Sequence, residues 1–110
     1  MIYHWCPQQD WDAAGDGYLP SAFPDDGFVH CSFLDQIEAT ATALYRGRAD
    51  LVLLCIEEEG LPVVVEDCYD AGEPFPHVYG PIPRAAVVAA VPFPCRDDGS
   101  FPVPAGVPPQ

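Results

Sequence analysis

The chain of 110 residues contains no lysine, and its four basic residues stand against 17 acidic ones, which gives a formal net charge of -13. Proteins that bind nucleic acid neutralise phosphates with lysine and arginine, and binding to anionic lipid needs the same positive charge. The composition therefore argues against nucleic acid and membrane partners. A small anionic ligand would need a local basic pocket, for which the candidates are Arg46, Arg48 and Arg84.

Three further features are missing. No apolar stretch approaches the roughly 18 residues that a membrane helix needs, and residues 1–5 lack the basic and then apolar pattern of a signal peptide. No two cysteines form a Cys-x-x-Cys pair, which argues against zinc-ribbon and thioredoxin-like sites. We therefore expect a cytoplasmic protein whose thiols are free. The cysteines are Cys6, Cys31, Cys55, Cys68 and Cys95.

What the sequence does contain is enough apolar material for one domain, since 49% of its residues are hydrophobic. Apolar residues at helical spacing predict the main helix over residues 34–45, ended by Arg46-Gly47, and a helical turn is expected over 11–14. The continuous apolar run 51–56 predicts a central strand buried on both faces. Further strands are predicted over residues 2–5, 28–29, 63–66 and 85–91.

Strands outnumber helices, so the predicted fold is a single α+β domain over residues 1–110, built on a largely antiparallel or mixed sheet. Residues 92–110 are rich in proline and glycine. We expect this tail to wrap the surface as extended chain.

The stretch Gly27-Phe28-Val29-His30-Cys31-Ser32 is the first candidate site. Ser32 followed by Asp35 fits a helix start, and helix N-termini attract anionic ligands. His30 would then lie at the end of a strand, beside that helix start. The alternative is a buried strand whose His30 and Cys31 fill a core. Because adjacent strand residues face opposite sides, these two side chains cannot form a catalytic pair with each other.

The three histidines, His4, His30 and His77, each lie at the end of a predicted strand. Imidazole donates, accepts and titrates near neutral pH, which suits proton transfer or ligand binding. We predict that the three line one shared pocket. They could instead bind zinc with Glu66 or Asp67 nearby, although no two of them share a helix face or a hairpin.

Several motifs together resemble the domain-of-unknown-function 952 family of small bacterial proteins. The resemblance runs nearly end to end. The matching stretches are Met1-Ile2-Tyr3-His4, Trp11 with Ala14 and Gly17-Tyr18, Gly27-Phe28-Val29-His30-Cys31-Ser32 with Gln36, Asp50-Leu51-Val52-Leu53-Leu54, Phe75-Pro76-His77-Val78-Tyr79-Gly80-Pro81 and Asp98-Gly99-Ser100-Phe101.

The resemblance implies a fold like that of ADP-ribosyltransferases. The RNA 2'-phosphotransferases of that broad superfamily have a pattern similar to His4, Trp11 and the approach from Gly27 to His30. By this resemblance His4 would contact the nicotinamide ribose or the diphosphate of NAD, and His30 would be the residue of the second motif. The third motif position would be taken by Glu66 or His77.

The function implied is binding of NAD or a related nucleotide, with transfer of ADP-ribose to an acceptor or to water. His4, His30 and Glu66 would be the catalytic residues, with the Glu66 carboxylate stabilising a cation-like transition state. The expected ligand contacts are Trp11, Ser32, His77, Tyr79 and Arg84. Two alternatives are a non-catalytic small-molecule-binding module and a metal-dependent hydrolase using His4, His30 and His77.

Overall fold

The computed structural model describes residues 1–108 and has an α+β fold, as predicted. No helix in this part of the chain is long and apolar enough to cross a membrane. The elements are β1 (Ile2–Pro7), α1 (Gln8–Asp12), β2 (Gly17–Tyr18), α2 (Phe23–Asp26), β3 (Val29–His30), α3 (Ile37–Tyr45), β4 (Leu51–Ile56), β5 (Val63–Glu66), β6 (Phe75–Val78), β7 (Ile82–Pro83) and β8 (Val87–Pro92), with 3-10 turns at Leu34–Gln36 and Arg84–Ala86.

The first sheet has the antiparallel order β1-β4-β8. All six residues of the central strand β4 are buried, which confirms the predicted central strand with two covered faces. Its side chains alternate between two apolar clusters, because successive strand residues point to opposite faces. Val52, Leu54 and Ile56 pack on one side, and Leu51, Leu53 and Cys55 pack on the other.

The second sheet has the antiparallel order β3-β6-β5, and β2 pairs with β7 separately. The chain just after β3 lies against the edge of β1. There the Tyr3 N–H donates to the Ser32 carbonyl at 2.9 Å, and the Ser32 N–H donates to the Tyr3 carbonyl at 2.8 Å. This bridge joins the edge strand β1 of the first sheet to the chain that leaves β3, the edge strand of the second sheet. The two sheets therefore lie side by side.

The two faces of these sheets differ in what covers them. One apolar cluster lies against both sheets and includes Ile2 and Cys6 of β1, Val29 of β3 and Val78 of β6. On the opposite face, Ile37 and Ala41 of α3 pack against the first sheet only. The corresponding face of the second sheet therefore remains available for polar side chains.

Ser32 does not begin a helix, which corrects the prediction made from Ser32 and Asp35. The backbone of Ser32 is taken up by the bridge to Tyr3. The 3-10 turn begins two residues later, where the Phe33 N–H donates to Gln36 Oε1 at 2.9 Å. Residues 34–45 are otherwise helical as predicted, and α3 ends before Arg46.

The tail after β8 does more than wrap the surface, since Phe93 and Phe101 are both buried in the apolar cluster beneath α3. The Phe101 N–H donates to Thr42 Oγ1 on α3 at 3.0 Å. Gly99 turns the chain there at a φ of +86°, and a Cβ at this position would lie 2.7 Å from Arg46 Cγ. Two of the predicted tail residues, 109 and 110, lie outside the described chain.

Several predicted boundaries shift. Helix α1 begins directly after Pro7 and ends at Asp12, so it overlaps the predicted turn at residues 11 and 12 but starts three residues earlier. Strand β1 also continues to Pro7, and β3 lies one residue later than predicted. The last strand begins at Val87 rather than Ala85, because residues 84–86 form a 3-10 turn.

Candidate functional site

The face of the second sheet that points away from Val29 and Val78 carries two of the three histidines. The register of β3 and β6 places His30 directly opposite His77, with their ring centroids 5.7 Å apart. Phe28, just before β3, stacks on His77 at 4.0 Å. Tyr79, two residues beyond His77, lies 5.3 Å from the Phe28 ring. The strand pairing thus produces an aromatic surface around two imidazoles.

The loop after β5 folds over this surface. The Asp67 carboxylate accepts hydrogen bonds from the N–H groups of Ala71 and Gly72, both at 2.9 Å. Hydrogen bonds from a side chain to nearby backbone N–H groups stabilise the conformation of a loop. The resulting conformation stacks Tyr69 on His30 with ring centroids 5.6 Å apart and brings its hydroxyl within 2.8 Å of His77 Nε2.

A continuous hydrogen-bonded chain, here called the relay, connects Asp26, His30, Tyr69 and His77. Asp26 Oδ2 lies 2.8 Å from His30 Nε2, and the Tyr69 hydroxyl bridges His30 Nδ1 and His77 Nε2. His77 is fully buried, and burial lowers its pKa. Partial burial raises the pKa of Tyr69 to about 12, so its hydroxyl keeps its proton near neutral pH.

Beyond His77 lies a second group, here called the donor cluster, formed by Glu66, Cys68 and His77. His77 Nδ1 is 3.7 Å from Glu66 Oε2 and 3.8 Å from Cys68 Sγ. The Cys68 thiol donates to Glu66 Oε1 at 2.9 Å, and the Tyr79 hydroxyl donates to the same carboxylate at 2.8 Å. These hydrogen bonds from Cys68 and Tyr79 lower the pKa of Glu66.

The donor cluster offers one nitrogen, one sulfur and one carboxylate oxygen, all within 4.8 Å of one another. Such a set can hold a proton, a polar ligand atom or a metal ion. Of the predicted site residues, the structure therefore brings together His30, Glu66, His77 and Tyr79.

His4 does not share this pocket, which corrects the prediction of three clustered histidines. On β1 it alternates with Tyr3, so its ring lies on the side of Ile2 and Cys6. His4 Nδ1 is 2.6 Å from the carbonyl oxygen of His30, whereas the His30 ring points to the opposite face. Burial lowers the pKa of His4 to about 4.

Trp11 and Arg84 form a separate contact, because the Arg84 guanidinium lies 3.9 Å from the centre of the Trp11 ring. Arg84 Nη2 also donates to the Trp11 carbonyl at 2.8 Å. Neither residue contacts the donor cluster, and buried Ser32 takes part in the bridge to Tyr3 instead. The structure does not place these three expected ligand contacts at the site.

The arginines proposed as an anion pocket do not converge. Arg46 Nη1 donates to the Asp98 carbonyl at 3.0 Å, and Arg48 forms a two-pronged ion pair with Asp50 at 2.9 and 2.8 Å. With Arg84 on Trp11, the three guanidinium groups bind three different parts of the fold. These three candidates therefore do not form one basic pocket.

Sequence reasoning missed four residues of the site, namely Asp26, Phe28, Cys68 and Tyr69. Phe28 lies in the first candidate stretch without a predicted role of its own, and Cys68 is predicted only to be a free thiol. The residue types of the loop do indicate a turn, since Asp67, Asp70 and Gly72 all favour turns. Nothing local in the sequence indicates that this turn would place Tyr69 between two histidines.

Two hollows of the described surface lie elsewhere. One is lined by residues 1 and 33–35, and the other by Asp10, Ala13, Ala14 and residues 17–21. Neither contains the titratable groups that meet around His77. The chemistry of the second sheet therefore identifies the candidate site better than surface shape does.

Comparison with known proteins supports the family resemblance. No curated protein matches the chain. Two crystal structures of protein CC0527 from Caulobacter crescentus, one of a double mutant, match at 31% identity over 92% of each chain with a TM-score of 0.82. The solution structure of CC0527 matches at 34% identity over 90% of this chain and 89% of the other, with a TM-score of 0.78.

A family model also matches residues 5–90, and its description is a protein of unknown function, DUF952. That span covers most of the chain, including β3, the relay and the donor cluster. The chain therefore belongs to the DUF952 family.

Proposed function

We propose that the chain is an enzyme that moves a proton to or from a small molecule bound at the donor cluster. The observation that carries this proposal is the relay, in which Tyr69 bridges the buried His77 and the exposed His30. A buried imidazole hydrogen-bonded in this way is typical of a group that acts as a general base.

The proton positions follow from the donors and acceptors. With His30 neutral, its Nε2–H donates to the Asp26 carboxylate, so its Nδ1 accepts from the Tyr69 hydroxyl. The Tyr69 oxygen then accepts from His77 Nε2–H. His77 Nδ1 is therefore left with a free lone pair directed towards Glu66 and Cys68.

A proton taken from the ligand by His77 Nδ1 can be passed along this chain. As the N–H bond forms at Nδ1, the Nε2 proton moves to the Tyr69 oxygen, and the Tyr69 proton moves to His30 Nδ1. The positive charge then resides on His30, beside the Asp26 carboxylate at 2.8 Å. The ion pair with Asp26 stabilises the imidazolium and keeps the positive charge off the buried His77, while the electron pair of the broken bond stays on the ligand.

The surroundings favour an uncharged or cationic ligand with a flat ring. Phe28, Tyr69 and Tyr79 supply aromatic surface around the cluster, and planar rings stack well on such side chains. Glu66 supplies negative charge, and none of the four arginines contacts the cluster among the described residues. This electrostatic setting disfavours a ligand that carries several phosphates.

ADP-ribosyl transfer from NAD, together with an ADP-ribosyltransferase-like ancestry, is the second candidate. The observation in its favour is the Glu66 carboxylate, held ionised by Tyr79 and Cys68 beside the aromatic surface. A carboxylate there would stabilise the cation-like ribose that forms as nicotinamide leaves. A binding module that holds NAD without turnover would use the same contacts.

The base is tested with 5-nitrobenzisoxazole, an uncharged flat molecule whose ring opens when one carbon-bound proton is removed. We expect the protein to accelerate this reaction and His77→Gln to remove the acceleration, by a factor of about 10²–10⁴. His4→Gln is the matched control, because it removes a histidine outside the cluster. An equal loss in both variants, or no acceleration by the wild type, contradicts the proposal.

Incubation with NAD distinguishes the second candidate. Release of nicotinamide that disappears in Glu66→Gln supports ADP-ribosyl transfer or hydrolysis. A rise in melting temperature with NAD but no release supports the binding module. If NAD neither releases nicotinamide nor raises the melting temperature, NAD is excluded as a ligand.

A further inference from the structure

We propose that Glu66, Cys68 and His77 bind a divalent transition metal ion, with zinc the best fit, and leave one coordination position open. The inference concerns the cluster of the proposed function but does not depend on proton transfer. The metal takes the His77 Nδ1 lone pair that a proton would otherwise take. The metal-free and metal-loaded proteins can therefore be examined separately.

The distances suit a tetrahedral ion. With metal–sulfur bonds of about 2.3 Å and metal–nitrogen or metal–oxygen bonds of about 2.0–2.1 Å, neighbouring donor atoms lie roughly 3.3–3.6 Å apart. The separations in the structure are 3.8 Å from His77 Nδ1 to Cys68 Sγ, 3.7 Å from Nδ1 to Glu66 Oε2 and 2.9 Å from Cys68 Sγ to Glu66 Oε1. The first two need to shorten slightly and the third needs to lengthen by roughly half an ångström, which side chains at the sheet surface can do.

The number of protons on the three side chains of the donor cluster also favours binding of a cation. When His77 carries its proton on Nε2, three electron-pair donors meet in the cluster: an imidazole nitrogen, a carboxylate and a sulfur. The Tyr79 hydroxyl donates to the carboxylate from outside the cluster, and within the cluster the one hydrogen is the thiol proton, which Cys68 donates to Glu66 at 2.9 Å. A divalent ion that displaces this proton gives one thiolate, one carboxylate and a neutral imidazole, so the complex has no net charge.

The relay then acts as the outer shell of the metal site. Histidines that bind metals usually donate their other N–H to a carboxylate, carbonyl or hydroxyl, which fixes the tautomer and orients the ring. His77 Nε2 has such a partner in the Tyr69 hydroxyl at 2.8 Å. Tyr79 orients the carboxylate of Glu66 in the same way, at 2.8 Å.

The donor types point to zinc. One sulfur, one nitrogen and one oxygen form a mixed set that hard cations such as calcium and magnesium do not prefer. Three protein ligands with one position left over are typical of catalytic zinc sites, whereas structural sites use four. The exposed Cys68 marks the side from which an ion can enter.

Cobalt(II) in place of zinc tests the site by absorption. The untagged protein, stripped with a chelator and titrated with cobalt alone, should bind one equivalent and show a thiolate-to-cobalt charge-transfer band that zinc abolishes. Cys68→Ser should lose that band, and the matched variant Cys95→Ser should keep it. Tyr69→Phe should keep the band but weaken cobalt binding by about 10–100-fold.

Absence of the band in the folded wild type, or its persistence in Cys68→Ser, would overturn the metal site. Repeating the benzisoxazole reaction on chelator-treated protein separates the two proposals. Base activity without a cobalt band would contradict the proposed metal site and support the proposed proton transfer. A cobalt band without base activity supports the metal and removes the proton transfer.

Discussion

The two three-stranded sheets of this protein use the same antiparallel pairing for different purposes. Strand β4 of the first sheet is buried throughout and packs apolar side chains on both faces. The second sheet buries Val29 and Val78 on one face but presents His30, Glu66 and His77 on the other. Because only one face of the second sheet packs in the apolar core, its other face can carry polar side chains without reducing the buried apolar area.

Two histidines, the half-buried His4 and the fully buried His77, show the same contrast. Burial lowers the pKa of both His4 and His77. His4 lies beside the Tyr18 ring and is bonded to a single carbonyl, and its Nε2 has no hydrogen-bond partner within the described chain. His77 has polar partners at both nitrogens. Burial of an imidazole alone therefore does not identify a site, but its connections do.

The largest expected difference between the sheets concerns stability. Leu53 on β4 is fully buried, so Leu53→Ala should lower the free energy of unfolding by about 2–5 kcal/mol. Val64, paired with His77 on the second sheet, is half exposed, and Val64→Ala should cost under about 1 kcal/mol. Urea denaturation of both variants measures the change in the free energy of unfolding. Equal decreases would contradict the difference between the two sheets.

A second difference concerns acid stability. The folded chain keeps His4 neutral down to about pH 4, whereas the unfolded chain binds its proton near pH 6.5. The unfolded state thus binds more protons between these values, and the free energy of unfolding should fall by roughly 3 kcal/mol as the pH drops through this window. His4→Phe should remove that part of the dependence, as measured by urea denaturation at several pH values. An unchanged slope would show that His4 is not held neutral.

A smaller effect is expected from removing one hydroxyl of the relay. Tyr69→Phe leaves both imidazoles without their shared partner and should cost about 1 kcal/mol of stability. Tyr45→Phe, on α3, is the control, because the Tyr45 ring packs on Trp5 in the apolar cluster beneath α3 rather than on the relay. The melting temperatures of the two variants measure this difference. Equal decreases would show that the Tyr69 hydroxyl contributes no hydrogen bond to the two histidines.

The smallest expected effect is on nucleic acid. With a net charge of -13, the protein should bind no RNA oligomer measurably at physiological ionic strength. Fluorescence anisotropy with a labelled oligomer checks this. Tight binding that weakens steeply with salt would show that a local basic surface outweighs the overall charge.

The sequence predicted the elements whose signals are local. The apolar run 51–56 and the helical spacing over 34–45 correspond to β4 and to the helical segment ending at Tyr45. Ser32 was misread because its neighbours fit a helix start, while its partner in the bridge, Tyr3, lies 29 positions away in the chain. No local pattern indicates such a pairing.

The candidate site was predictable in part for the same reason. His30 and His77 could be singled out because each ends a strand beside turn residues, but their register depends on a strand pairing across 47 residues. Tyr69 and Cys68 reach the site through the turn at Asp67. The prediction for His4 is wrong because it rests on the position of each histidine at a strand end. The sequence does not indicate which face of one strand lies beside which face of another.

The most direct test of this account is the tautomer of each histidine, read from nitrogen-15 spectra of the metal-free protein near pH 8. Variants at His4, His30 and His77 assign the three signals. We predict that His77 carries its proton on Nε2, towards Tyr69, and that His4 carries its proton on Nδ1, towards the His30 carbonyl. His77 protonated on Nδ1 would contradict the free lone pair on which both the proton transfer and the metal site depend.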